Sequence, residues 1–163
     1  MADVDAVTRA VLTASRVLVG VSARSLAAAE DTVTLPQFRL LVALSVHGDA
    51  NLSTVAEVLG VNPSTAMRMI DRLTTAGLTE RHPNPANRRE SLIQLTDDGR
   101  RLVDEVTSRR RAEIATIVSR MDPAQGQALI DALTAFAHAA GEPAVPVAGP
   151  DAYPLGWTDT TAG

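Results

Sequence analysis

Neither cysteine nor lysine occurs in this sequence. Without cysteine there is no disulfide, no thiolate metal site and no thiol-based redox sensor. Without lysine all the fixed positive charge is arginine, a bias that a GC-rich genome produces by itself. Aromatic residues are almost as scarce: Phe38, Phe136, Tyr153 and Trp157 are the whole set. Leu, Val, Ile, Met and Ala must therefore fill the core. No uninterrupted apolar run approaches the roughly 18–20 residues that span a bilayer. The first residues carry Asp3 and Asp5 and lack the basic region of a secretion signal. A cytoplasmic protein with no membrane partner is the simple expectation.

Catalytic signatures are missing too. His47, His82 and His138 lie far apart, with no acid at metal-ligand spacing and nothing of the form H-E-x-x-H. There is no glycine-rich phosphate loop and no nucleophile elbow. The expectation is no enzyme, no metal and no cofactor.

What is present is a chain of 163 residues, enough for one domain with its own core. The net charge of −4 argues against a nucleic-acid partner only if the charge is evenly spread. It is not. Residues 62–111 hold ten arginines against seven acids, whereas the rest holds five arginines against twelve acids. A contact face is governed by its local field rather than by the total charge.

Along the chain, Val7 to Glu30 reads as one long helix, apolar enough to be buried on more than one side. Thr34-Leu35-Pro36 starts a second, running through Phe38, Leu41 and Val42 to His47-Gly48. Ser53 is the expected cap of a short helix ending at Leu59-Gly60. Asn62-Pro63 opens another, which runs to Ala76-Gly77. The period then changes, and Thr79–His82 and Ser91–Leu95 read as strands around the turn-forming run Pro83-Asn84-Pro85-Ala86-Asn87. Thr96-Asp97-Asp98 starts a helix that extends to about Met121. Asp122-Pro123 caps the last, which ends at Ala140-Gly141. From Glu142 onward, Pro143, Pro146, Pro150 and Pro154 alternate with Gly149 and Gly156, a tail composition that resists helix and sheet.

The centre of the chain carries the functional signal. Ala56 is small where two helices would cross, Gly60 supplies the turn, and Val55, Leu59, Val61, Ala66, Met69 and Ile70 can pin the pair together. That spacing is the sequence form of a helix-turn-helix. On the second helix, Ala66, Ile70 and Leu73 form a buried stripe. Thr65, Arg68, Arg72 and Thr75 form another, with Ser64 beside its start. Short hydroxyls and guanidinium groups suit a major groove, although an ordinary amphipathic helix presents a similar face. Asn87-Arg88-Arg89 at the tip of the hairpin tips the balance, because arginine on a narrow projection can enter a minor groove.

The stretch Leu52-Ser53-Thr54-Val55-Ala56-Glu57-Val58-Leu59-Gly60-Val61 resembles the first helix of the MarR family's winged helix-turn-helix. Ser64 to Leu73, then Ala76-Gly77-Leu78-Thr79-Glu80-Arg81, resembles its recognition helix and the exit into the wing. Asn84-Pro85-Ala86-Asn87-Arg88-Arg89, with Leu95-Thr96 and Gly99-Arg100, is similar to the wing and the start of the long helix. The family's wing usually has Asp-x-Arg; here Asn87 takes the acid's place, so no ion pair orients Arg89. Met67 stands where many members carry a polar residue facing DNA.

The resemblance covers roughly residues 7 to 140. It implies a mainly α fold with a small two- or three-stranded β-wing, built as a winged helix-turn-helix plus a helical dimerisation region. Residues 1–141 would form a single domain, with dimerisation helices at about 7–30 and 97–140 and the winged part at about 35–95. Residues 142–163 would be a tail. The implied function is a sequence-specific transcriptional regulator of the repressor type, a homodimer on double-stranded DNA with an inverted repeat. Ser53, Ser64, Thr65, Arg68, Arg72, Arg88 and Arg89 are the expected DNA contacts. Many members release DNA when a small aromatic acid or phenolic effector enters a cleft beside the dimerisation helices. Here Arg16, Val17, Val21, Phe38, Leu41 and Val42 would line it, with Arg16 pairing a carboxylate; the same residues also fit a plain core. An architectural or ligand-independent DNA-binding protein, or a winged domain used for protein contacts, is the alternative reading.

Overall fold

The computed structural model describes residues 3–29 and 31–141. The expected tail at 142–163, with Tyr153 and Trp157, lies outside them. Six α-helices and one hairpin follow in the order α1 (Val4–Ala27), α2 (Leu35–His47), α3 (Leu52–Leu59), α4 (Pro63–Thr75), β1 (Thr79–Pro83), β2 (Ser91–Leu95), α5 (Asp97–Val118) and α6 (Gly126–Ala139). This is the mainly α fold with a small β-wing expected from the residues.

Local chemistry sets most boundaries. Thr34 and Gln37 form a reciprocal capping box, satisfying two backbone donors at the start of α2. Asn62 Oδ1 accepts from the backbone of Thr65 at 2.8 Å, and Pro63 follows it into the first turn of α4. Thr96 caps α5 by accepting from Gly99 N at 3.1 Å while donating to the carbonyl of Gly77 at 2.6 Å. One boundary differs from expectation. The cap of α3 is Asn51, whose Oδ1 accepts from Thr54 N at 2.9 Å, and Ser53 lies exposed inside the first turn. Both residue types cap well, so the sequence could not rank them; the chain leaves its helical path before Leu52, which puts Asn51 at the end.

α2 is the hub. Phe38, Leu40 and Leu41 are fully buried, meeting Val55 and Leu59 of α3, Ile70 and Leu73 of α4, and Val103 and Val106 of α5. Gly60 ends α3 at φ 64°, a left-handed conformation open to glycine at little cost, and it turns the chain into α4. The hairpin is antiparallel with Thr79 opposite Leu95 and Arg81 opposite Ile93. Ala50 adds a single isolated bridge to Ile93, with bonds of 3.1 and 2.8 Å, which ties the two-stranded wing to the segment before α3.

Where α5 passes the hairpin, contact is very close. A Cβ on Gly99 would sit 2.2 Å from the Leu78 carbonyl oxygen. Gly99→Ala is therefore expected to lower stability by about 1–3 kcal/mol through forced separation of α5 from the wing, read as a shift of the urea midpoint.

The outer helices are poorly covered. In α1 only Val21, Ser25 and Leu26 are buried, and α6 has no buried residue although it is rich in Ala, Leu, Ile and Phe. By length and mean hydropathy α1 could even cross a bilayer. Its C-terminal half packs on the body through the buried Val21, Ser25 and Leu26, and Arg24 Nε donates to Glu113 Oε2 of α5 at 2.9 Å.

Candidate nucleic-acid interface

On α4 the inward stripe of Ala66, Ile70 and Leu73 is buried as expected. Ser64, Arg68 and Arg72 are exposed and Thr65 is half-buried. Arg68 Nη2 lies 3.3 Å from Thr65 Oγ1, one turn earlier, and donates to it. Ser64 Oγ donates to Asn62 Oδ1 at 2.7 Å, so this hydroxyl is tied to the cap with its lone pairs still outward. The face therefore offers one pre-positioned guanidinium and two hydroxyls.

The wing tip is built by asparagines. Asn84 Oδ1 accepts from Ala86 N at 2.9 Å, and Asn87 Oδ1 accepts from Arg89 N at 3.2 Å. Asn87 therefore shapes the backbone that carries Arg89, which an aspartate would also do, but it leaves the guanidinium unoriented. Among the described residues no side chain pairs with Arg72, Arg88 or Arg89. Their charge faces outward, available to an anionic partner.

α3, α4 and the wing enclose a hollow of about 270 Å³, walled by Ser53, Met67, Arg81, Arg89 and Glu90 among others. It gathers Ser53 and Arg89 into one place, 36 residues apart in sequence. Sequence reasoning missed Glu90, Arg81 and Asp71 here. Glu90 Oε2 accepts from Asn84 Nδ2 at 3.3 Å and from Asn51 Nδ2 at 3.5 Å, joining the wing to the cap of α3. Arg81 forms an ion pair with Asp71 of α4 and approaches Met67 Sδ to 3.3 Å. Met67 is thus half-buried beneath the wing instead of standing clear on the reading face. No periodicity signals such pairs, because each joins two elements.

A second cavity, about 850 Å³, opens between α1, α2 and α5. Its wall corrects the expected one. Ser15, Leu18, Ser22 and Leu26 of α1 face it, with Leu35 and Arg39 of α2 and Arg110 of α5. Val21, Leu41 and Val42 are core residues, almost wholly buried, and Arg16 is exposed away from the cleft. Phe38 reaches only a small void on its floor, shared with Thr107. The reason is helix phase: residues 18, 22 and 26 share one face of α1, while Val21 falls on the core side. In the run Arg109-Arg110-Arg111, Arg109 pairs with Glu105 one turn back and Arg110 turns to the cleft.

Comparison with known proteins agrees with this geometry. The MarR family model matches residues 33–91. The crystal structure of Rv1404 from Mycobacterium tuberculosis is 52% identical, covers 90% of this chain and 99% of its own, and superposes with a TM-score of 0.78. BpsR of Bordetella bronchiseptica, whose DNA binding is regulated by 6-hydroxynicotinic acid, is 26% identical over 83% of this chain and 93% of its own, with a TM-score of 0.55. The transcriptional repressor MdtR of Bacillus subtilis is 37% identical over 53% of this chain and 56% of its own length. The chain spans between 54% and 67% of the length of the first curated relatives it matches. With the helix-turn-helix, the hairpin wing and these matches together, the chain belongs to the MarR family of winged helix-turn-helix transcriptional regulators.

Proposed function

We propose that this protein is a cytoplasmic, sequence-specific repressor that binds an inverted repeat in double-stranded DNA as a homodimer. The observation that carries this reading is the pairing of an arginine- and hydroxyl-bearing face on α4 with an arginine-tipped wing across one hollow. Thr65 and Arg68 read bases in the major groove, and Ser53, Ser64 and Arg72 engage phosphates. Arg88 and Arg89 hold the flank through the minor groove. The protein acts by binding rather than by catalysis. Residues 1–141 work as one unit, with the winged part at about 35–95 and pairing helices at about 7–30 and 97–140. The uncovered apolar faces of α1 and α6 support the pairing.

The cleft beside α1 is the place for a small aromatic acid or phenol. Arg39 and Arg110 supply the positive charge first assigned to Arg16, and Leu18, Leu26 and Leu35 supply the apolar wall. Control of BpsR by an aromatic acid supports this reading.

Selection of bound duplexes from a random pool tests both parts. The expected product is an inverted repeat with half-site centres about 10 base pairs apart, and small aromatic acids should release it. A pool that stays random, with equal affinity for all duplexes at physiological salt, would instead identify an architectural DNA coat.

A further inference from the structure

Two side-chain contacts join the wing to α4. At its base, Thr74 Oγ1 and Thr79 Oγ1 share a hydrogen bond of 3.0 Å. Two residues further along β1, Arg81 reaches back: its Nη2 donates to Asp71 Oδ1 and lies 3.3 Å from Met67 Sδ. Met67 and Asp71 are four residues apart and so share one face of α4. One guanidinium therefore grips two successive turns. Among the described residues no hydrogen bond joins α4 to the wing beyond Arg81.

Arg81 and Asp71 are both well exposed, with side chains 38% and 59% accessible. A pair that open to solvent adds little to overall stability. Its position matters more than its strength. It lies where the hairpin leaves the body, opposite Ile93, the residue bridged to Ala50. An aspartate on a helix that approaches phosphates is also unfavourable unless it serves something else.

We propose that Arg81, clamped on Asp71 and Met67, is a positioning residue: it sets the angle between the recognition helix and the wing, so that base reading by α4 and flank binding by the tip occur together. This rests on the DNA-binding reading above. Without the clamp the outer part of the hairpin, beyond the Ala50–Ile93 bridge, is held to the body, among the described residues, only through Glu90 and Asn51, and Arg88 and Arg89 lose their register with Arg68.

The two possible roles of Arg81 predict opposite signs for one substitution. If Arg81 simply touches phosphate and Asp71 screens it, Asp71→Asn removes a negative charge and tightens DNA binding. If Asp71 holds the clamp, the same change weakens binding to the preferred sequence. The experiment uses the full chain and its Asp71→Asn, Arg81→Met and double variants. Anisotropy titrations would use a duplex selected by the wild type and a random-sequence duplex, each at several salt concentrations.

The expected result is a loss of about five- to tenfold on the selected duplex for either single variant, with the double variant no worse. Random-duplex affinity should stay within about threefold and the salt slope should not change. Tighter binding by Asp71→Asn overturns the proposal. So does an equal loss on both duplexes for Arg81→Met with a slope smaller by about one, the mark of a phosphate contact. Amide hydrogen exchange at residues 84–90 in the free protein gives a readout independent of DNA. Both single variants should speed it, and unchanged exchange overturns the clamp. A wild type that prefers no duplex overturns the DNA-binding reading, while the exchange result still decides whether Arg81 holds the wing.

Discussion

Leu133→Asp is expected to leave each chain folded, to prevent the proposed pairing of two chains, and to reduce binding to an inverted repeat by about 10²- to 10⁴-fold. Ile130, Leu133 and Phe136 of α6 are 59%, 54% and 54% exposed in the single chain. A carboxylate at such a position meets water in the monomer, so nothing in the chain's own core is disturbed. Against a partner's apolar surface the same carboxylate would be buried without a counter-charge, which is strongly unfavourable. Loss of operator binding then follows from geometry. Two half-sites held by linked subunits bind with the avidity of an intramolecular second step, and separated chains lose it. Sedimentation velocity reads the mass, circular dichroism the retained helix, and a gel shift the affinity. A variant that stays dimeric and binds normally would show that α6 is not part of the pairing surface.

The second large effect distinguishes the reading helix from the wing. Arg68→Ala is expected to cost about 1–3 kcal/mol on the selected duplex, or roughly 5- to 150-fold, with relaxed preference at the bases it faces. Binding to random DNA should change far less. Arg68 is held by Thr65 at 3.3 Å before any DNA arrives, so part of its ordering cost is already met within the helix. Arg89→Ala should weaken both duplexes by similar factors and lower the salt slope by about one, because its guanidinium is unoriented and contributes mainly charge. Titrations of both variants on both duplexes, across salt, make the comparison. Matching losses for the two variants would remove the division of labour between α4 and the wing.

Much of this was legible in the residues because it is governed by short-range rules. Thr34, Asn62 and Thr96 each cap a helix by accepting from a backbone donor three residues on. Gly60 at φ 64° marks the turn between α3 and α4 for a reason internal to its own backbone. The buried stripe of Ala66, Ile70 and Leu73 follows from helical periodicity alone. Asn51 escaped because two good capping residues stand two positions apart, and only the path of the chain chooses between them.

The cleft and the wing clamp were not legible, and for a different reason. The expected cleft residues Val21, Leu41 and Val42 are apolar and correctly placed on α1 and α2, yet they point into the core. Which apolar residue faces a cavity depends on how far each helix is rotated about its axis. That rotation is set by the packing of α1 and α2 against α5. Arg39 and Arg110 come to the same cavity from 71 positions apart, and Arg81 meets Asp71 across the boundary between a helix and a strand.

The sequence by itself therefore determined the elements, their order, the exposed arginines of α4 and the wing, and the family pattern they make, since each depends on neighbours within about one helical turn or one hairpin. Only the tertiary structure decided what holds the wing against α4 and which side chains wall the cleft. Those contacts depend on the rotation and crossing of whole elements, which no local spacing encodes.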